Sequence, residues 1–441
     1  MVFLGDFLRV LNVVLAAGML AIGLFQLWLS FFGFSRQEKD YQDHDPESRF
    51  LILVPAHNEE QVIGDIVRCL QNMDYPKELY DFYVIADNCT DRTAEKARAL
   101  GAEVIETRRT HSDEPTGKPQ ALRKALASLG DYAGKYDLLM IFDADNLMDS
   151  WMLKEVNSQW VDKEHPDFIQ CYLGAKNKEG VVAWCYYTGY TLTNRFFQLA
   201  KYRRGLNCSI GGTGFAISTE YLKERGGWSC VSLTEDFEIQ VEATLAGKRV
   251  LWNHHARVYD EKPTSLKASI RQKIRWGQGH WYVCLHNTRA AFRALREGTI
   301  GVREWFSTMT YMYSLSVYVV ALIQGLITAL LYAVPSLGGH WFSEVPVLTF
   351  WGYFLFAYSY LFLFYAADWV DNAIRFSPRT LPMMVFSSLV NLVVSCFNQI
   401  VGLIRCGDQK TWVKTEHTLC RKKLNVPLQP HRLSPRMERA R

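Results

Sequence analysis

The chain has 441 residues, 49% hydrophobic and 21% charged, with a formal net charge of +4. That balance excludes global disorder, and 29 Gly, 14 Pro and 10 Cys exclude fibrous and small disulfide-rich classes. The mean hydropathy of −0.08 averages two unlike parts: long apolar stretches toward both ends, and a charged, mixed segment between them.

The first apolar block, Leu8 to Phe34, carries one charge, Arg9. A membrane-crossing helix needs ~20 apolar residues, and this block is long enough. A signal peptide would have a basic start and an apolar stretch of ~7–15 residues. Here the start, MVFLGDF, is acidic, and no small-residue cleavage site follows. A retained transmembrane helix is therefore expected over 1–35, with Arg36 and Lys39 favouring the cytoplasmic side after it.

From about Arg49 to Tyr259 the pattern is α/β. Phe50–Val54 (FLILV) suits a buried strand. Asn58 to Met73 predicts a helix, with Ile63, Ile66, Val67 and Leu70 at helical spacing. Strands are expected at Tyr80–Ala86, Ala102–Glu106 and Leu138–Phe142, and helices up to Leu100 and over Gly117–Leu129. This alternation implies a doubly wound, mostly parallel sheet, whose ligand sits at the carboxyl ends of the strands. Polar clusters stand at those ends: His57-Asn58-Glu59, Asp87-Asn88, and Asp143-Ala144-Asp145.

Three signals carry chemistry. Asp143 and Asp145 close a buried strand, and hard oxygen ligands suit Mg²⁺ or Mn²⁺ bound with phosphate oxygens; the bland alternative is an exposed acidic pair. Thr234-Glu235-Asp236 opens a helix, where carboxylates are favoured by the helix dipole alone. Gln272, Arg275 and Trp276 fall at i, i+3 and i+4, on one helix face. An amide, a guanidinium and an indole there can bind diphosphate and stack on a sugar, or simply make an interfacial helix.

After residue 300 come three further apolar blocks: Phe306–Val334, Val347–Ala367 and Pro382–Ile404. If the middle segment is cytoplasmic, three full crossings put the tail outside. The tail from Arg405 to Arg441, however, has ten Lys/Arg against three Asp/Glu and favours the cytoplasm. Either one block is re-entrant or interfacial, or the charge rule fails here. The ten cysteines form no CxxC pair, so free thiols in a reducing compartment are expected rather than a structural zinc site.

In order, PxHNE at Pro55–Glu59, Asp87, DxD at Asp143–Asp145, TED at Thr234–Asp236 and QxxRW at Gln272–Trp276 precede a cluster of apolar helices. The combination resembles the membrane-embedded family 2 glycosyltransferases: the cellulose, chitin, hyaluronan and poly-N-acetylglucosamine synthases and their relatives. The motifs cover roughly Phe50 to Val283. The resemblance implies a GT-A type domain inserted between membrane helices. The expected divisions are a helix over 1–35, a cytosolic catalytic domain over 36–262 and interfacial helices carrying QxxRW over 263–303. Transmembrane helices over 304–406 and a basic cytosolic tail over 407–441 follow.

The resemblance also implies roles. Asn58, Glu59, Asp87, Lys118 and Asp143 would seat the nucleotide. Asp143 and Asp145 would hold the diphosphate through Mg²⁺ or Mn²⁺, Asp145 more directly, and Asp236 would be the catalytic base. Gln272, Arg275 and Trp276 would bind diphosphate and acceptor. Gly211–Gly214 is either an acceptor-side wall or a plain turn, and Trp412–His417 looks like a diverged gating segment. The donor would be a UDP-sugar, and the acceptor a growing polysaccharide or, alternatively, a lipid-linked acceptor taking one sugar. A receptor or scaffold with a degenerate enzyme domain is disfavoured by the intact Asp143, Asp145, Asp236 and Gln272–Trp276. Membrane lipid is the expected surrounding, at the plasma membrane, with no nucleic acid partner. A channel needs more helices than these, which a homo-oligomer or a partner could supply.

Overall fold

A computed structural model describes residues 2–34, 39–111, 114–314, 316–334, 337 and 380–410. The strands are β1 (Phe50–Ala56), β2 (Tyr80–Asp87), β3 (Glu103–Thr107), β4 (Leu138–Ile141), β5 (Leu147–Met148), β6 (Phe168–Ala175), β7 (Phe215–Ser218) and β8 (Val250–Asp260). They form one sheet in the order β3-β2-β1-β4-β7-β6-β8-β5. The half β3-β2-β1-β4 is parallel, as its alternation with helices predicts. The whole sheet is mixed, which corrects the mostly parallel expectation. β7 runs against β4 and β6, and β5 runs against β8.

That reversal matters for the site. Because β7 is antiparallel, the glycines before it lie at the edge where β1, β2 and β4 end. Gly214 N–H donates to Ile141 O at 2.9 Å across this junction.

FLILV is apolar throughout because β1 is buried on both faces. Phe50, Ile52 and Val54 join α2 (Ile63–Gln71), α3 (Thr93–Ala99) and α5 (Met152–Asp162) in one core. Leu51 and Leu53 face the other, under α4 (Lys118–Leu129). The expected helix from Asn58 starts only at Ile63. Asn58 instead adopts φ 56°, and its side-chain oxygen accepts from the Thr90 and Asp91 N–H groups at 2.7 and 3.3 Å.

The N-terminal block forms α1 (Val2–Ser30). After β6, α6 (Val181–Leu192) continues through a π-helical segment (Thr193–Leu199) into α7 (Ala200–Arg203). Then come α8 (Thr219–Glu224), α9 (Glu235–Leu245) and α10 (Leu266–Arg296). The block Phe306–Val334 is not one helix but two, α11 (Val302–Met312) and α12 (Ser316–Ala333). At their junction the Met312 carbonyl is taken by His280 Nε2 at 2.5 Å and Cys284 Sγ at 2.7 Å, both from α10.

Pro382 falls in the first turns of α13 (Thr380–Ile404), where proline is tolerated. Among the described residues two helices, Phe3–Gly33 and Ser316–Ala333, are long and apolar enough to cross a membrane. Asn12 Nδ2 bonds Thr328 Oγ1 at 3.0 Å between α1 and α12. Val347–Ala367 and Trp412–His417 lie outside the described residues. The nine described cysteines are free.

Candidate active site

Lys118 opens α4, after Gly117 at φ 104°. Its ammonium donates to Asp143 Oδ1 at 2.7 Å and to Gly212 O, and stands 3.9 Å from Glu235 Oε1. Burial pulls its pKa down, but Asp143, Glu235 and Asp236 more than offset this and hold it above the ordinary lysine value. Lys118 thus links the DxD turn to the TED segment.

The DxD turn is fastened by residues that the motif does not include. Asp143 N–H donates to Asn146 Oδ1 at 3.1 Å and to Thr213 Oγ1 at 3.0 Å. Asp145, buried, accepts the Glu261 N–H at 2.6 Å on Oδ2. Asp260, at the end of β8, is half-buried and paired with the buried Lys262 at 2.8 Å. Burial raises Asp260; Lys262 lowers it, and Asp145 and Asp143 raise it further. Among the described residues no three His, Cys, Asp or Glu side chains converge as a complete metal site. Two hard carboxylates at one strand end still fit Mg²⁺ or Mn²⁺, which take one or two carboxylates and complete their shell with phosphate and water.

Asp236 lies in the first turn of α9. Burial raises its pKa, against the Phe237 N–H, Lys118 and Arg275, which lower it. Burial also raises Glu235, opposed by Lys118. Gly212 sits beside the carboxylate at φ 81°, and a Cβ on it would stand 3.1 Å from Asp236 Oδ2. The Gly211–Gly214 turn is therefore part of the site wall.

Gln272, Arg275 and Trp276 share the expected face of α10. Tyr186, on α6, donates its hydroxyl to Gln272 Oε1 at 2.9 Å. That leaves the Gln272 amide NH₂ to donate elsewhere. The Tyr186 ring meets Trp276 edge-on, with centroids 6.1 Å apart. Arg275 makes no hydrogen bond or ion pair among the described residues, yet its charge lowers the pKa of both Glu235 and Asp236. Tyr190, one turn after Tyr186, has its phenol raised by burial and by Asp260, Tyr186, Asp236 and Asp143.

A second cluster lies at the ends of β1 and β2. Asp87, buried, accepts from Thr107 Oγ1 and Asn88 Nδ2, both at 2.8 Å. His57 Nδ1 bonds Asp87 O at 2.7 Å. Glu59 is buried, and its N–H donates to Thr93 Oγ1 at 2.8 Å. Asn58 braces the turn after β2 and so shapes this corner through the backbone.

The sequence reading missed Tyr186, Tyr190, Asn146, Asp260 and Lys262. Asp260 carried a legible signal, an acid closing a strand, as at Asp143. The two tyrosines were hidden in an apolar helix, VVAWCYYTGYTL.

Residues 46–279 match the model of glycosyltransferase-like family 2. The chain belongs to that family. Over 240 residues it is 28% identical to a β-monoglucosyldiacylglycerol synthase of Synechocystis sp., a match covering 53% of this chain and 48% of that one. Over 299 residues it is 20% identical to a poly-β-1,6-N-acetyl-D-glucosamine synthase of Staphylococcus epidermidis, covering 64% and 66%. The chain therefore spans about half to two thirds of the length of these curated relatives. In fold it is similar to the mannosyltransferase PcManGT of Pyrobaculum calidifontis, solved with GDP-mannose and Mn²⁺. That similarity has a TM-score of 0.57 at 15% identity and covers 89% of this chain and 99% of that one. It is a GT-A-like α/β fold.

Proposed function

We propose that the chain transfers a sugar from a UDP-sugar, with inversion, onto a growing β-linked polysaccharide, processively and coupled to export across the plasma membrane. The observation that carries the catalytic part is the Lys118 bridge, 2.7 Å from Asp143 and 3.9 Å from Glu235. It ties the DxD turn to the TED segment, which supports reading them as the donor-binding and base-bearing parts of one site.

In this reading the acceptor hydroxyl oxygen attacks the anomeric carbon. The bond from that carbon to the diphosphate breaks, and its electron pair leaves with UDP. The hydroxyl proton passes to the Asp236 carboxylate, since a sugar hydroxyl is too weak an acid to ionise alone. Inversion follows from a single displacement. Lys118, Arg275 and the Gln272 amide serve the charge that develops on the leaving phosphate. Asp143 and Asp145 would hold Mg²⁺ or Mn²⁺, which when bound neutralises diphosphate charge. Asp87, Asn58 and Glu59 shape the nucleotide corner. Trp276, steadied by Tyr186, is the stacking platform for the acceptor. The catalytic domain faces the cytosol, and a second copy or a partner completes the channel.

A second reading, one sugar added to a lipid acceptor, is favoured by the 28% identity to a glucosyldiacylglycerol synthase. Membranes carrying the protein, given a panel of UDP-sugars and GDP-sugars, test both. UDP release with a product of many sugars supports the polymer reading. A product one sugar longer than its acceptor replaces it with the lipid reading, and turnover of GDP-sugars alone overturns the UDP assignment.

A further inference from the structure

The segment before the TED motif has three consecutive backbone N–H groups to satisfy. Those of Val231 and Ser232 go to Glu238 Oε2, at 3.0 and 2.7 Å, inside the catalytic domain. The third, of Leu233, goes to Gln409 Oε1 at 2.8 Å, 176 residues away. Gln409 lies just beyond α13. Its amide Nε2 donates to Gln278 O on α10 at 3.2 Å and to Cys406 O at 2.8 Å. One side chain therefore joins the approach to the base, the QxxRW helix and the end of α13.

The backbones behind it are in contact. A Cβ on Gly402 would stand 2.7 Å from Gly277 C and 3.0 Å from Gln278 N. With no side chain between them, α10 and α13 cannot slide without moving Gln409. Leu233 is buried, so its N–H would be left without a partner if Gln409 withdrew, which disfavours that withdrawal.

We infer that Gln409 is a positioning residue for catalysis. It sets the Leu233–Asp236 segment, and so makes base geometry depend on how α13 is seated. The inference rests on the reading of Asp236 as the base. Misplacing a catalytic group by about 1 Å can cost about 10²-fold in rate.

The test uses the full chain in lipid nanodiscs, with UDP release from UDP-glucose or UDP-N-acetylglucosamine, whichever the donor panel shows to turn over. Gln409→Leu is expected to lower kcat about 10–100-fold, with donor KM within about twofold. Gln409→Glu keeps the acceptor for Leu233 N–H while losing the two bonds that the amide NH₂ donates, and is expected to restore part of the lost rate. Wild-type kcat in Gln409→Leu overturns the inference. If Gln409→Leu also loses donor binding, Gln409→Glu decides: recovery supports positioning, and no recovery overturns it. Asp236→Asn is measured in parallel. Wild-type turnover there removes the base reading itself, whereas a silent Asp236→Asn beside a fully active Gln409→Leu removes only the role of Gln409.

Discussion

Gly279 of α10 lies directly against Thr234, so that a Cβ on the glycine would stand 2.4 Å from Thr234 Oγ1 and 2.7 Å from its backbone nitrogen. The helix that carries Gln272 and Trp276 is thereby packed onto the turn that carries Asp236. Beside it Phe237 stacks on His280 with ring centroids 4.3 Å apart. Burial pushes His280 down to about 4, so it packs as a neutral ring at ordinary pH. Gly279→Ala must displace Thr234. We expect kcat to fall about 10–100-fold with donor affinity retained, measured by steady-state UDP release. An unchanged kcat would mean that the contact does not set base geometry.

The Tyr186 hydroxyl fixes which end of the Gln272 amide points away. Tyr186→Phe removes that bond, together with the one to Ser269 Oγ at 3.1 Å, and keeps the ring against Trp276. A net loss of about 1 kcal/mol corresponds to roughly a fivefold weaker hold on the diphosphate. Donor KM should rise by about that factor while the folded state persists in thermal melts. No change in KM would separate Gln272 from the donor.

The divalent metal gives a third expectation. Asp145→Ala should abolish metal-dependent donor binding, measured by titration with Mn²⁺ and UDP-sugar. A chelator should silence the unaltered enzyme. Full activity in chelator would contradict the assignment of Asp143 and Asp145.

Topology is testable at Cys406. Gln409 binds Leu233 on the catalytic domain, so Cys406 must lie on the same side of any membrane as the active site. In a chain stripped of other cysteines, Cys406 and an exposed Lys223→Cys should react with an impermeant maleimide under the same conditions. In sealed cells neither should label if that side is cytosolic. Labelling of one without the other would contradict the geometry.

Local pattern made the first half of the catalytic fold legible. β1 is apolar on both faces, and α4 ends at Gly130 after an apolar-periodic run, so position in sequence and position in space agree. The second half was harder because β7 and β5 reverse direction, which no short-range pattern encodes. Acids at strand ends and helix starts stand out, so Asp143, Asp145 and Asp236 were visible as candidates, and the Lys118 ammonium lies between Asp143 and Glu235 of the same two segments. Tyr186 and Gln409 were not legible, since each acts through a partner 86 or 176 residues distant. The break at Met312 was hidden for the same reason: its carbonyl is claimed by α10 side chains.

The central claim is that Asp236 takes the acceptor proton. Asp236→Asn keeps the size of the side chain and removes the proton acceptor. The account predicts a fall in transfer of about 10²–10⁴ with donor binding kept. In the unaltered enzyme burial raises the Asp236 pKa, and a base with a raised pKa loses its active form as pH falls through that value. The acid limb of kcat should therefore lie above the ~4 of an ordinary carboxylate and vanish from the residual activity of Asp236→Asn. Wild-type turnover in Asp236→Asn, with the same acid limb, would contradict the account.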